Sequence, residues 1–374
     1  MPREYFHVAF FYGKEDLMHQ EFMELAIEEA KKGLNQTFTN PLVGAVLVKD
    51  NHVIAKGAHL KYGQNHAEKN AIEQCQSSEE LINSTLYATL EPCNHFGKQP
   101  PCSQLIIDSG IKKVVIGQLD PNPLVRGKGK AFLEKSGVEV IVGVAEEKVR
   151  QLNPFYNFFY QTQRPYIALK QAITLDGRIA MNQKRTAITG KAVWQKVHEE
   201  RLAYQGILVG SQTVLTDDPE LLAVGTPEFP PVRIVLDRRG RILAQPRLKL
   251  FQGSKVPVWI FTEQPAQQPL PPHVEVICLP QVTIEQVIKE LTKRKLQALY
   301  VEGGARIHDA FLASGYWDEV ITYVAAKVMG GAGLSSFGSE REVEQLSELT
   351  DVKITQIGAD LRISGRRQTS CLPD

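Results

Sequence analysis

Residues 66–75 read HAEKNAIEQC and residues 91–102 read EPCNHFGKQPPC, and these two stretches decide how the chain is read. The first is predicted to be a short helix opened by His66-Ala67-Glu68, with Ala67, Ala71, Ile72 and Cys75 turned inward. The second follows a strand predicted over 85–90, and its Cys93 is answered nine residues later by Cys102. One imidazole and two thiolates are three good zinc ligands, and they leave a fourth position open for water. Water there ionises near neutral pH and becomes a nucleophile. Glu68, two residues past the His and not itself a ligand, is placed to take that proton and pass it to a departing amine. A lone His-x-Glu carries little, and any one cysteine could be a core residue. The ordered combination is far more specific.

Working outward, residues 40–49 (NPLVGAVLVK) read as a turn running into a buried strand. A helix is expected over 103–109 and strands over 114–117 and 138–142. An amphipathic helix is expected from Met18, with Phe22, Leu25, Ala26 and Ala30 on one face and Gly33 as its stop. Strands separated by short helices imply α/β layering around one sheet. Residues 1–17 carry an aromatic cluster without a period. Lys14-Glu15-Asp16 can be spelled as a purine-rich ribosome-binding run upstream of Met18, so Met18 is the expected native start and 1–17 a translated leader.

The pattern restarts near residues 161–165, which places a deaminase domain at 18–162 and a second domain at 163–374. Strands are expected over 166–169, 207–209, 233–236, 258–261, 274–279, 299–301 and 320–328, and helices over 191–204, 283–293 and 306–313. Thr283-x-x-Gln286 is a capping box, and a hairpin is expected around Gly358. Residues 265–272 (PAQQPLPP) read as a surface loop. Val301-Glu302-Gly303-Gly304-Ala305 puts glycines between a strand and a helix, where backbone N–H groups approach a phosphate. No GxGxxG is present, so a Rossmann dinucleotide site is not supported.

With 374 residues, two domains are expected. The net charge of +1 and the lack of a basic run argue against nucleic acid and for a small-molecule substrate. Five unevenly spaced cysteines do not form a disulfide framework, and a reducing cytoplasm suits them. No apolar stretch approaches a membrane span, and no secretory signal is evident. The oligomeric state stays open, a homo-oligomer included.

The His-x-Glu and Pro-Cys pattern is the signature of zinc deaminases of nucleobases. Most members of that fold use Cys-x-x-Cys, whereas here eight residues separate the thiols. The long loop ending in Pro-Pro-Cys resembles the riboflavin-pathway deaminases. Asn40-Pro41-Leu42-Val43-Gly44, residues 57–62 (GAHLKY) and Asp120-Pro121-Asn122-Pro123 are similar to that family too, and the resemblance runs over the chain after Met18. It looks closest to the bifunctional bacterial form. It implies a cytidine-deaminase-like three-layer α/β domain that removes an amine from a diaminopyrimidinone ribose phosphate. A dihydrofolate-reductase-like α/β domain follows and reduces the ribose to ribitol with NADPH. Zn2+ and NADPH are the implied cofactors.

Carried over by resemblance, Asn40, His59 and His95 would contact the ring, and Lys98, Asp120 and Asn122 the ribose and phosphate. Asn40, His59, His95, Asp120 and Asn122 also have plainer readings as turn or loop residues. In the second domain, residues 170–180 (KQAITLDGRIA) are similar to the family's opening strand and turn. The dinucleotide would meet Ala172, Thr213, Asp217 and the run Gly304, Ala305, Arg306, Ile307, His308, Asp309 and Ala310. The sugar phosphate would meet Lys170, Arg201, Leu221 and Glu302. Two departures stand out. Ala187 replaces the first residue of the family's Trp-Ile-Thr, and Val224 stands where the family has an arginine. Arg185, with Lys184, is the candidate replacement for that lost phosphate contact. Two other readings stay open at this point: a deaminase whose C-terminal domain is not catalytic, and an RNA-editing deaminase.

Overall fold

The structure, a computed structural model, describes residues 14–95, 100–181, 186–225, 227–339 and 347–368. The chain divides into two compact units between Gln161 and Thr162, and each is described by itself.

In the first unit the strands are β1 (Gly44–Lys49), β2 (His52–Ala58), β3 (Thr85–Leu90), β4 (Lys113–Gln118) and β5 (Glu139–Val142). They form one sheet in the order β2-β1-β3-β4-β5. β1 is antiparallel to both neighbours, and β3, β4 and β5 run parallel. The helices are α1 (Lys14–Ala30), α2 (Ala67–Gln74), α3 (Ser78–Leu81), α4 (Cys102–Asp108), α5 (Lys128–Lys135), α6 (Glu146–Arg150) and α7 (Pro154–Thr162). β1, β3 and β4 read GAVLVK, TLYATL and KVVIGQ and are buried along almost their whole length. Strands covered on both faces need such continuous apolar runs. Alternation sends Ala45, Leu47, Val114 and Ile116 to a core closed by Ala67, Ala71, Ile106 and Leu133. It sends Val46, Val48, Tyr87 and Val115 to a second core closed by Met23, Ala26, Ile27 and Val149. The result is a three-layer sandwich with α2, α4 and α5 on one face and α1 and α6 on the other.

Two details differ from expectation. α1 begins at Lys14, ahead of Met18, and its buried stripe runs through Met23, Ala26, Ile27 and Ala30, with Phe22 and Leu25 only partly buried. β2 is not among the expected strands, because His52 and Lys56 break its apolar run. It is the sheet's edge and half exposed. The available signal is the turn before it: Asp50 and Asn51 have φ of 49° and 61°, the backbone of a two-residue hairpin that these residue types tolerate.

In the second unit the strands are β6 (Tyr166–Thr174), β7 (Arg178–Met181), β8 (Gly206–Gly210), β9 (Val232–Leu236), β10 (Val258–Thr262), β11 (Val274–Cys278), β12 (Ala298–Gly303), β13 (Glu319–Ala325), β14 (Gly333–Ser335), β15 (Leu349–Ile357) and β16 (Asp360–Arg367). Nine of them form one sheet, β11-β10-β9-β8-β12-β6-β13-β16-β15, and β14 pairs with β7. The sheet is parallel from β11 to β13 and ends in the antiparallel hairpin β15-β16. The helices are α8 (Lys191–Glu200), α9 (Ser211–Asp217), α10 (Ile284–Lys293) and α11 (Ala305–Ser314). Thr283 caps α10 as expected, its hydroxyl accepting from the Gln286 N–H at 3.3 Å. Ile284, Val287, Ile288 and Leu291 of that helix close a core over Ile167, Leu208 and Val301. No helix among the described residues is long and apolar enough to cross a membrane.

Two candidate active sites

His66 occupies the N-cap position of α2, which puts Glu68 in the first helical turn. Cys93 follows β3, and Cys102 is the first residue of α4, behind Pro101. The local sequence explains this: Pro at the helix entry lacks only an N–H that would be unpaired there anyway. The three donor atoms lie within 4.8 Å of one another. His66 Nδ1 is 3.5 Å from Cys93 Sγ and 3.4 Å from Cys102 Sγ. The Cys102 backbone N–H points at Cys93 Sγ, 3.4 Å away, and helix N-termini favour thiolates.

The protonation pattern tests the fit to a cation. A hydrogen bond from Cys102 holds the Cys93 thiol well down, and giving that bond pushes Cys102 up. The hydrogen bond to Cys93 raises His66 to about 9. Three donors converge with protons between them, and no carboxylate is among the three. A soft divalent cation such as zinc fits that donor set, displacing those protons. Glu68 is 3% exposed. Burial pushes its carboxyl up to about 7, against the pull of His66, and it reaches the Cys102 thiol as a hydrogen-bond partner.

Asn40 and His59 belong to the same site. Asn40 Nδ2 is 3.2 Å from His59 Nε2, and His59 Nδ1 is 3.0 Å from the Asn65 carbonyl. The His59 and His66 rings meet edge-on at 5.7 Å. His59 is buried, and burial lowers its pKa, so it is not a solvated loop residue. Asp120 is buried, accepting from the Asn122 N–H at 2.8 Å and from the Tyr156 hydroxyl at 3.1 Å. Asn122 in turn accepts from the Leu124 N–H. His95 is exposed, near enough to Asp120 for its charge to act there. Lys98 lies outside the described residues.

Sequence reasoning missed the group that builds this loop. Glu91 is buried and accepts four backbone N–H bonds, from Asp120, Gly127, Gly129 and Lys130, at 3.2, 2.9, 2.9 and 3.1 Å. Only its place beside Pro92-Cys93 hinted at a role.

The second unit holds a cavity of about 1050 Å³ at the carboxyl ends of its parallel strands, where open α/β sheets bind ligands. Lys170, Ala172, Arg201, Thr213, Asp217, Leu221, Glu302, Gly304, Ala305, Arg306, Ile307 and His308 all line it. Two expected residues do not. Asp309 turns away and accepts from the Gly338 N–H and the Ser339 hydroxyl, at 2.9 and 2.7 Å. Ala310 sits against the core and a smaller cavity. Both follow from helical rotation, because a seven-residue run spans two turns and cannot keep one face. Arg185 lies outside the described residues.

Arg201 is not a free cation. It holds Glu302 through two bonds, at 2.6 and 3.0 Å, and donates to the Leu222 carbonyl at 2.6 Å. Lys170 Nζ stands 3.6 Å from Glu302. Burial alone would raise the Glu302 carboxyl, but Arg201 and Lys170 outweigh it and hold the group at about 2. Burial lowers Lys170. Gly304 N–H donates to Thr213 at 3.1 Å, fixing the turn between β12 and α11. Ala187 lines the cavity, whereas Val224 is half exposed.

A three-layer unit with a His-Cys-Cys donor cluster, followed by a parallel-sheet unit with a large strand-end cavity, is the architecture of a two-site enzyme, a metal-dependent site in the first unit and a ligand cavity in the second. Comparisons agree. The cytidine and deoxycytidylate deaminase zinc-binding region matches residues 17–118, and the RibD C-terminal domain matches residues 165–363. The riboflavin biosynthesis protein RibD of Aquifex aeolicus is 38% identical over 354 residues, 93% of this chain and 98% of that protein. RibD of Escherichia coli is 31% identical, over 92% and 98% of the two chains. The crystal structure of a diaminohydroxyphosphoribosylaminopyrimidine deaminase/5-amino-6-(5-phosphoribosylamino)uracil reductase from Thermotoga maritima superimposes with a TM-score of 0.83. It is 40% identical, covering 95% of this chain and all of that one. The chain belongs to the RibD family. It is an enzyme with a zinc-dependent deaminase domain and an NADPH-dependent reductase domain.

Proposed function

We propose that the first unit deaminates a diaminopyrimidinone ribose phosphate, that the second reduces the ribosyl chain of the product, and that the residues above carry both steps. The observation behind this is that two independently built sites each gather the side chains their own chemistry needs. His66, Cys93 and Cys102 would hold zinc, which when bound would lower the pKa of a water toward neutrality. Glu68, buried beside Cys102, takes a proton on its carboxylate and returns it to the leaving amine. Asn40 and His59 offer polar atoms to the ring, and Asp120 with Asn122 to the ribose. In the second unit NADPH supplies the hydride. Lys170 and Glu302 place a proton donor and its counter-charge near the sugar carbon being reduced. Thr213, Asp217 and the Gly304–Ile307 turn hold the dinucleotide.

The test is incubation of purified protein with the diaminopyrimidinone ribose phosphate, with and without NADPH, and mass measurement of products. Ammonia release with exchange of an amine for oxygen is expected without NADPH, and two further hydrogens with it. Stripping zinc should stop the first step and leave reduction of added deaminated compound intact. Deamination without any NADPH oxidation would favour a non-catalytic second unit.

A further inference from the structure

The reductase reaction proposed above brings two planar heterocycles into one cavity, the pyrimidine of the sugar phosphate and the nicotinamide of NADPH. Flat, poorly hydrated π faces are bound well by other ring faces. Among the described lining residues, rings come from Trp194, His198 and His308. His308 is buried against the Gly303 backbone, with Nε2 3.2 Å from the Val301 carbonyl, so it offers no open face. Ala187 contributes only a methyl group.

Trp194 is different. It is 61% exposed although it lines the cavity. Its indole lies on the His198 imidazole, with centroids 3.9 Å apart and planes 35° from parallel. His198 Nδ1 is 2.8 Å from the Trp194 carbonyl, which fixes the imidazole as a backing plate for the exposed indole. Trp194, His198 and Arg201 stand at i, i+4 and i+7 on α8 and the turn that continues it, so they share one face. The stripe is about 10 Å long. One end is aromatic. The other carries the Arg201–Glu302–Lys170 cluster.

We infer that Trp194, backed by His198, is the platform on which the substrate's pyrimidine ring stacks in the reductase site, with the sugar phosphate running along α8 toward Arg201. This rests on the reading of the second unit as a reductase of such a compound. The ring is assigned to the substrate rather than to nicotinamide because Trp194 shares its helix face with Arg201. The candidate dinucleotide residues, Thr213 and Gly304 to Ile307, sit on other segments.

The experiment compares the full-length parent with Trp194→Ala and Trp194→Phe. Loss of a base-stacking ring changes affinity by about tenfold. Trp194→Ala should therefore raise the KM for 5-amino-6-(5-phosphoribosylamino)uracil by about tenfold. The KM for NADPH and the deamination rate should stay as in the parent, and Trp194→Phe should recover most of the loss. The same uracil compound, titrated without NADPH, should quench tryptophan fluorescence in the parent and not in Trp194→Ala. A rise in the NADPH KM instead, or no change in either KM, overturns the platform. If the parent does not reduce the compound, the functional reading fails. The quench titration then decides separately: a quench that needs Trp194 upholds the platform, and its absence removes it.

Discussion

In the first unit, three donor atoms from one strand end and two helix starts converge within 4.8 Å. The sulfurs and imidazole lie within hydrogen-bond reach of one another, with His66 Nδ1 3.4 to 3.5 Å from each sulfur. In the second, Lys170, Arg201 and Glu302 come from three separate elements and already pair as ions at 2.6 to 3.6 Å. The first arrangement is a set of nitrogen and sulfur donors suited to a soft cation, so its charge balance involves a bound ion. The second carries its own counter-charge, so it is preorganised as folded. One site therefore depends on a bound ion, and the other on a buried ion triad.

The sharpest way to break that contrast is Glu68→Gln. The substitution keeps shape and every metal donor but removes a proton-carrying carboxylate. Zinc content should stay at the parental level while deamination falls by about 10²–10⁴-fold, read by ammonia release beside metal analysis. Near-parental turnover would show that Glu68 only packs. A variant that loses zinc as well would make Glu68 part of the metal's own surroundings.

Glu302→Ala attacks the other side. It leaves Arg201 and Lys170 buried without their carboxylate, and breaking such a pair costs about 3–5 kcal/mol. All three tryptophans, Trp194, Trp259 and Trp317, lie in the second unit. Their fluorescence during urea unfolding therefore reports that unit. The pH dependence has a definite sign. Glu302 is held below its ordinary value of 4.5, at about 2, so its contribution is present above the unfolded value and fades as pH falls through about 2. The variant should be weaker at neutral pH and converge on the parent in strong acid. A gap that persists in acid would mean that packing, not charge, was lost.

The two sites also differ in how far they can be read from sequence. His66, Glu68, Cys93 and Cys102 fall into two short motifs whose chemistry needs those residue types at that spacing. β1, β3 and β4 announce themselves as unbroken apolar runs. The reductase cavity has no such motif. Lys170, Thr213, Arg201 and Glu302 are single residues on separate segments, and only the resemblance groups them. Even so, it extends the cofactor run to Asp309 and Ala310, which the helix rotates out of the cavity. Glu91 is illegible for another reason: its value lies in four backbone N–H partners 29 to 39 residues away in the chain. β2 escapes because an edge strand does not need a continuous apolar run.

The smallest expected effect concerns the charge left over in the second site. Lys170 and Arg201 against Glu302 leave one net positive charge, while a sugar phosphate brings close to two negative ones. Arg239, Arg241, Lys249 and Arg306 line the cavity too; Arg306 belongs to the α11 turn and Arg241 is bonded to Ser211 and Gln212. Val224 cannot help: it is uncharged, and its N–H is given to the His198 carbonyl. Thr186 lines the cavity, so the residue before it in the chain, Arg185, is the nearest candidate in sequence. Arg185→Ala should raise the KM for the sugar phosphate by about tenfold, the size of one charge-assisted hydrogen bond, and leave deamination untouched. Arg185→Lys should recover part of the loss, because a phosphate accepts from a point charge as well as from a planar fork. If Arg185→Ala reduces substrate like the parent while Arg201→Ala is crippled, a single arginine carries the phosphate, and the triad's net charge of one is enough.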